Sequence, residues 1–404
     1  MSKNTKHKWG FKARFRRGAY SWNGSSLASK RLKEALAEIK TVAKSDQETA
    51  AEGVVDLMER IWPALEHIDT SSGALGNAVY STLIDLIPVL KNAPLDIQTR
   101  GKLLERLYEA VQDDGVDYLF PVIDEWGAIC LFPELVNKWA DYLLPTMKMC
   151  FLDKPGSSFR GSIACLSCLL QAGRYEELKS MLSLKKYPSW FYDKFWAEAL
   201  VRQNCVDEAL DYAESIRNKG YDVARISEFC ERTLMNAGRA DEAYDRYAYE
   251  SKSGQTYINQ FRNTVKKYPS KEPRVILQDF IRWSGEKGAW FASARQMGHL
   301  DIALDCALSG NVDPKTLIRA AKDTVETSPA FSMNVAIRAV DLLLQGFGYE
   351  IRILDTHLAF GHAMAAARKI NSEEKAKLVL KELLARKYSC HRDLHATLAS
   401  LLGR

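Results

Sequence analysis

The sequence has no long apolar run and no familiar catalytic motif. No window approaches eighteen uncharged apolar residues, and the first residues, MSKNTKHKWGFKARFRRG, carry charge where a signal peptide has its apolar segment. We therefore expect neither a membrane span nor secretion. P-loop, dinucleotide-binding, nucleophile-elbow and HExxH motifs are also missing, so the sequence predicts a protein that is not an enzyme and holds no cofactor.

The chain also lacks the sustained period-two alternation of β-strands. Apolar residues instead recur at three- and four-residue intervals, as in Leu32, Ala35, Leu36 and Ile39. The composition, 47% hydrophobic and 26% charged over 404 residues, is that of a globular chain without low-complexity bias. The pattern predicts an all-α fold.

Cysteines are few, and they lie where a small apolar side chain would lie. The eight are at 130, 150, 165, 168, 205, 230, 306 and 390, mostly among apolar residues at helical spacing. This usage fits a reducing cytoplasm, which is the predicted location. Cys165 and Cys168 have the spacing of a redox pair or half a zinc site, but the run IACLSCLL is typical of a helix interior, which favours packing.

Two further residue groups could carry chemistry. Cys390, His391 and His395, with His357 or His362, could bind zinc if they converged, although surface histidines explain the pattern as well. A loop at 67–76, beginning His67-Ile68-Asp69-Thr70-Ser71-Ser72, collects a base, an acid and hydroxyl groups. The end of one helix and the capping of the next account for the same residues. We predict no metal site, and an enzyme site at this loop is the weakest alternative.

Positive charge is concentrated at the N-terminus. Residues 1–33 contain ten Lys and Arg and no acidic residue. Subtracting these ten from the 56 basic residues leaves 46 against 51 acidic ones, so the rest of the chain is mildly acidic. The basic segment could meet phosphate, an anionic lipid, or the protein's own acidic body. An organellar transit peptide is a further alternative, but the interleaved aromatic residues favour a segment that packs or binds.

From about residue 160 the sequence repeats itself. The segments LLQAGRYEEL (169–178), VRQNCVDEAL (201–210), LMNAGRADEAY (234–244) and ARQMGHLDIAL (294–304) share one pattern: a helix end, a turn and an acidic helix start. Between Gly173, Asn204, Gly238 and Gly298 the steps are 31, 34 and 60 residues, close to the ~34-residue period of tetratricopeptide hairpins. Gly and Asn can adopt the left-handed conformation that ends a helix.

These observations predict a tetratricopeptide-like α-solenoid of about twenty helices in antiparallel pairs. The predicted parts are a basic aromatic arm at 1–24, an N-terminal helical bundle at 25–153 and a helical-repeat solenoid at 159–404. The link is Lys154-Pro155-Gly156-Ser157-Ser158, rich in the residues of linkers. One hairpin cannot bury its apolar face alone, so neighbouring hairpins must stack.

The runs KARFRRGAYSWNGSSLASKRLKEALAEI, LMERIWPALEHIDTSSGALGNAV, ERLYEAVQDDGVDYL and CLSCLLQAGRYEELKSML resemble a family of uncharacterised bacterial all-helical proteins. That family is similar to the tetratricopeptide-like tails beside SWIM-type zinc-finger domains. The resemblance covers most of the chain and implies a helical-repeat fold, without catalytic residues to transfer. The SWIM cysteine and histidine ligands do not occur here, so no zinc function is implied.

Trp190 is the residue predicted to contact a partner. If the aromatic run that begins at Trp190 is helical, Phe191, Tyr192, Phe195 and Trp196 fall on one stripe centred on Ala199, the expected core face. Trp190 points the other way. We expect a non-catalytic scaffold that binds a protein or peptide, because stacked hairpins offer extended surface and the chain offers no reaction centre.

The rival function class is nucleic-acid association through the arm. Its cations and rings alternate, and the candidate residues for an anionic partner are Lys8, Trp9, Lys12, Arg14, Phe15, Arg16 and Arg17. Base stacking combined with phosphate pairing is how single strands are held without sequence preference. In the favoured alternative Phe11, Ala13 and Phe15, which alternate with cations, lie extended along the solenoid and bury their rings.

Overall fold

The computed structural model describes residues 7–153, 159–251, 256–386 and 392–403. Within these ranges the chain contains twenty-two α-helices, two short 3-10 helices and no strand. The Cα packing groups the chain into two compact units, residues 1–226 and 227–404. The predicted all-α fold of paired helices is confirmed.

Unit 1 begins with the arm, which contains the 3-10 helix Gly10–Ala13. Its helices are α1 Ser25–Val42, α2 Gln47–Leu65, α3 Ala74–Asn92, α4 Ile97–Asp113, α5 Phe120–Asp124, α6 Trp126–Cys130, α7 Pro133–Asp153, α8 Gly161–Gln171, α9 Tyr175–Ser183, α10 Trp190–Arg202 and α11 Val206–Arg217. One core of buried apolar side chains extends from Trp9 to Ala199. Residues 154–158, where the sequence predicts the link between bundle and repeats, lie outside the described residues, and that division stays a prediction.

Helix α12, Val223–Asn236, contains the junction between the units. Unit 2 continues with α13 Ala240–Tyr247, α14 Tyr257–Lys267, α15 Pro273–Ser284, α16 Phe291–Gln296, α17 Leu300–Ser309, α18 Pro314–Thr324, α19 Pro329–Leu344, α20 Ile353–Lys369, α21 Glu373–Ala385 and α22 Arg392–Leu402. Here alternate helices pack side by side in two rows. One row is α17, α19 and α21, and the other is α18, α20 and α22.

The four predicted turns all close their helices in the same way. Gly173, Asn204, Gly238 and Gly298 have φ between 62° and 82°. At the first turn the N–H of Gly173 donates to the Leu170 carbonyl at 3.2 Å, and that of Arg174 donates to the Leu169 carbonyl at 3.0 Å. The other three turns repeat both bonds. This is the Schellman arrangement, in which a left-handed residue satisfies the last carbonyls of a helix.

Two more turns have this geometry outside the four segments named in the sequence analysis. At Gly346 (φ 78°) the next N–H, of Phe347, donates to the Leu342 carbonyl at 2.9 Å. At Asn371 (φ 51°) the N–H of Ser372 donates to the Ala367 carbonyl at 2.9 Å. The turn geometry therefore continues beyond the last of the four segments, and at Asn371 the acidic helix start, Glu373 and Glu374, is present as well.

Candidate binding surfaces

The aromatic rings of the arm are buried against α1 and α2. Trp9 is 4% exposed and Phe15 is 1% exposed, and Phe11 and Tyr20 are buried with them. The Trp9 indole lies on Gly53 of α2, where a Cβ atom would be 2.2 Å from the ring carbon Cζ2. No Cβ can approach a ring so closely, so glycine at 53 is what admits the indole.

The backbone of the arm is fixed by Glu38 of α1. Its carboxylate accepts hydrogen bonds from the N–H groups of Gly10 at 2.6 Å and Phe11 at 3.2 Å. These are the first donors of the 3-10 helix, which would otherwise have no acceptor. The expected extended conformation along the solenoid was wrong. The arm packs on α1 and α2, within the part predicted as the N-terminal bundle, and it turns at Gly10–Ala13 because Glu38 caps a helical turn there, which leaves Ala13 exposed rather than packed.

Three of the five candidate cations in the arm face carboxylates of the same unit. Lys12 Nζ lies 2.6 Å from Asp56, Arg14 pairs with Glu34, and Arg17 Nε lies 3.6 Å from Glu66. Lys8 and Arg16 are exposed. With the rings buried and these cations paired, the arm adopts the packed alternative, in which its charge meets the acidic body.

Trp190 lies in the core, so the prediction that it faces solvent was wrong. Its side chain is 5% exposed, whereas Phe191, assigned to the core, is 38% exposed. Helix α10 packs against α8, α9 and α11. A helix with neighbours on several sides has more than one buried stripe, and the single stripe centred on Ala199 assumed too few.

Phe191 belongs to a cluster that joins three helices, in which Phe191 and Arg225 are exposed and Phe120 and Lys194 are half-buried. The Arg225 guanidinium of α12 lies 4.9 Å from the ring centroid of Phe191, and the Phe120 ring of α5 meets it edge to face at 5.4 Å. Lys194 Nζ lies 5.9 Å from the Phe120 centroid and 2.6 Å from Asp124 Oδ2. We call Phe120, Phe191, Lys194 and Arg225 the aromatic surface. Cations on ring faces hold these side chains in place.

The cluster also affects the acidity of Asp124. Burial raises the pKa of this carboxyl group above its usual value, and the nearby Lys194 ammonium opposes that rise only in part.

Two exposed tyrosines, Tyr187 and Tyr221, stand just before α10 and α12. Exposed aromatic and arginine side chains are enriched at the centres of protein interfaces, which makes this surface a candidate for partner binding.

The cysteines at 165 and 168 are both fully buried in α8. Burial raises the pKa of Cys165 to about 12, and it raises the pKa of Cys168, which lies beside Cys130, well above its usual value. A thiol must ionise to act as a nucleophile or a metal ligand. The packing interpretation of the CLSC run therefore fits the structure better than a redox pair.

The predicted zinc alternative falls partly outside the described residues, since Cys390 and His391 lie there. Within the described ranges no three His, Cys, Asp or Glu side chains are grouped so that they could hold a metal ion. Burial lowers the pKa of His362, and His357 is exposed on the same helix, α20.

The loop at 67–76 forms the turn between α2 and α3. Asp69 accepts a hydrogen bond from the Ser71 N–H at 2.9 Å, which lowers the pKa of the Asp69 carboxyl group. His67 Nε2 lies 3.6 Å from Glu66, and its ring faces Gly18. The imidazole and the hydroxyl groups thus have different neighbours. The loop ends α2, and the residue before α3 is Gly73, which has no side chain to cap that helix.

No described helix combines the length and the apolar character needed to cross a bilayer.

Comparison with known proteins shows little likeness to this chain. No protein-family model matches it, and no curated protein matches it in sequence. Among solved structures it is similar to a "circular tandem repeat protein with novel repeat topology and enhanced subunit contact surfaces", with 12% identity over 94% of this chain and 86% of the other. The TM-score is 0.20. The assignment to a helical-repeat fold therefore rests on the helices and turns described above.

Proposed function

We propose that this protein is a non-catalytic helical-repeat scaffold that binds a protein or peptide partner in the cytoplasm. The observation that carries the proposal is the aromatic surface, where Phe191 keeps 38% of its area exposed between the Arg225 guanidinium and the Phe120 ring. Because the Phe191 ring is already held in one orientation by these contacts, it loses little side-chain freedom when a partner binds, and more of its contact energy contributes to affinity.

The rival proposal, nucleic-acid binding through the arm, has less support. Stacking on bases needs exposed rings, and Trp9 and Phe15 are committed to the core of unit 1. Phosphate pairing needs available cations, and Lys12, Arg14 and Arg17 already face carboxylates.

The test is affinity purification of the tagged full-length chain from its native host, followed by mass spectrometry and by titration with the purified partner. Phe191→Ala and Arg225→Ala should each weaken the partner's binding about 30-fold, the effect of losing an interface residue worth ~2 kcal/mol. Trp22→Ala, which removes another exposed ring of unit 1, is the matched control and should bind like the wild type.

Two results would count against the proposal. Equal binding by the three variants and the wild type would remove the aromatic surface as the site. Recovery of no stable partner, together with turnover of a small molecule by the purified chain, would overturn the scaffold function itself.

A further inference from the structure

In unit 2, the row formed by α17, α19 and α21 leaves an open groove on its surface. The groove has a volume of about 240 Å³. Its floor contains Met333, Ala376 and Leu383, which are almost fully buried, and Ile337 and Val379 are half-buried along it. Leu308 of α17 stands at one wall and is 53% exposed. An apolar group of a ligand could pack against this floor and against the exposed leucine at its edge.

The size of the groove limits what it can hold. Pockets for whole small-molecule ligands usually measure about 300–1,000 Å³ and enclose most of the ligand. At about 240 Å³, and open to solvent, this groove suits one side chain of a longer molecule. Met333 at its floor has an unbranched, adaptable side chain that can adjust to different apolar shapes.

The charged residues of the groove are mostly basic. They are Arg338, Lys375 and Arg386, against the single acid Asp341. Arg338 is engaged within the fold, because it pairs with Asp341 and its Nε donates to the Ala307 carbonyl near the end of α17 at 3.0 Å.

Arg386 also faces Asp341, with its Nη1 3.9 Å from Oδ1. Lys375, the remaining cation of the groove, is exposed and stands one helical turn from Val379. Lys375, Val379 and Leu383 are four residues apart along α21, so they lie on one face of that helix. The ammonium group and the apolar floor are therefore presented to the same side. A ligand with a carboxylate next to an apolar side chain matches this arrangement in charge and in polarity.

We propose that this groove binds an acidic peptide segment, which inserts one apolar side chain beside Leu308 and Val379 and places a carboxylate against Lys375. The inference rests on the proposed scaffold function and gives it a second surface with a defined ligand chemistry. A basic or uncharged apolar segment lacks the group that Lys375 would pair with. A second copy of this chain is distinguished from a peptide by its effect on oligomeric state.

The test uses fluorescein-labelled synthetic peptides and fluorescence polarisation with the full chain. The probe is Ser-Glu-Glu-Leu-Glu-Glu-Ser, and two control peptides replace Leu by Ala or every Glu by Lys. We expect a Kd on the order of 100 μM for the probe and binding at least about tenfold weaker for the Ala peptide, since the apolar contact is lost. The Lys peptide should not bind, and binding of the probe should weaken as salt is raised.

Paired variants assign the binding to this groove. Lys375→Glu and Leu308→Ser should each weaken the probe about tenfold or more. Their controls are Lys381→Glu and Leu378→Ser, exposed residues of α21 that do not line the groove, and these should bind the probe like the wild type. All four positions are exposed, so circular dichroism and thermal melts should match the wild type.

Each other outcome overturns the inference. These are the absence of probe binding, equal binding of the three peptides, equal loss in the groove variants and their controls, or a dimer whose formation depends on Leu308. The proposed function is judged separately. A native partner that binds normally to Lys375→Glu but not to Phe191→Ala would support the scaffold function and show that the groove is not its binding site.

Discussion

Gly53→Ala should lower the free energy of unfolding, although a glycine-to-alanine change inside a helix normally raises it, because Trp9 of the arm packs on this glycine. Gly53 is in the interior of α2, where replacing glycine by alanine normally stabilises a helix by about 0.8–1.0 kcal/mol. Here the new Cβ would lie 2.2, 2.6 and 2.7 Å from three carbons of the Trp9 indole. The ring is rigid, and the adjacent N–H of Gly10 is held by Glu38, so the indole cannot move aside alone.

The size of the effect follows from two opposing contributions. Inserting a methyl group into a packed contact costs about 1–3 kcal/mol, and complete loss of a buried tryptophan would set an upper limit of about 3–5 kcal/mol. Set against the gain in helix propensity, we expect a net loss of up to ~2 kcal/mol. Gly101→Ala is the matched control in α4 of the same unit. Its Cβ would make an ordinary contact, 3.6 Å from Leu135, so the free energy of unfolding should rise by up to ~1 kcal/mol.

Urea unfolding followed by circular dichroism measures the change in the free energy of unfolding for both variants. A double-mutant cycle with Trp9→Ala tests whether contact with the indole causes the loss. In a Trp9→Ala background the clash is gone, so Gly53→Ala should become stabilising. A gel shift with single-stranded oligonucleotides at two salt concentrations should show no binding by the wild type. If Gly53→Ala stabilises the wild type as Gly101→Ala does, Trp9 does not lie on α2, and nucleic-acid binding by the arm becomes the better hypothesis.

Three other perturbations test particular contacts. Arg100→Met should cost about 3–5 kcal/mol in urea unfolding, because the buried guanidinium donates to four carbonyls, including Ile129 at 2.8 Å and Ala93 at 2.7 Å, which would lose their donors. Gly288→Ala should strongly lower the thermal midpoint, since its Cβ would lie 2.1 Å from a backbone carbonyl oxygen of a neighbouring loop. An NMR titration should give the Asp301 carboxyl a pKa of about 2, because its hydrogen bonds with Arg274 favour the ionised form, and Arg274→Met should raise that pKa toward ~3.9. The stabilisation from this lowered pKa is present above ~3.9 and is lost as the pH falls toward 2, so the wild type should lose its advantage over Arg274→Met in that window.

The turns could be predicted from the sequence because their cause is local. A left-handed residue, the two carbonyls that it satisfies and the acidic residues that follow all lie within about ten residues of one another. The sequence around Gly173 and Asn204 is therefore enough to predict that each of these residues ends a helix in the left-handed conformation. The turns at Gly346 and Asn371 carried the same signal, glycine or asparagine after an amphipathic helix, but the acidic helix start is weaker after Gly346, where α20 begins only at Ile353.

The faces of α10 could not be predicted in the same way. Which residues of this helix are buried depends on α8, α9 and α11, and the sequence of α10 alone does not give their positions. Trp190 and Phe191 are neighbours in sequence, differ by about 100° around the helix, and are both large and aromatic. Only the packing distinguishes the buried ring from the exposed one. The groove at Leu308 and Lys375 could not be predicted for the same reason, since its lining residues come from three helices and run from Leu308 to Arg386.

The basic arm shows that a run of positive charge predicts an external anionic partner only when no acidic residues of the same chain lie within its reach. Residues 1–33, with ten basic residues and no acid, would favour an anionic partner if the segment were free. However, Glu34 and Glu38 lie one turn apart on α1, and both face the arm, the first through Arg14 and the second through the N–H groups at Gly10 and Phe11. That i, i+4 pair of acids directly follows the basic segment in the sequence. A short connection and an acidic helix face next to a basic aromatic segment therefore favour internal packing over an external ligand, because the rings gain burial and the cations gain partners without the entropy cost of association.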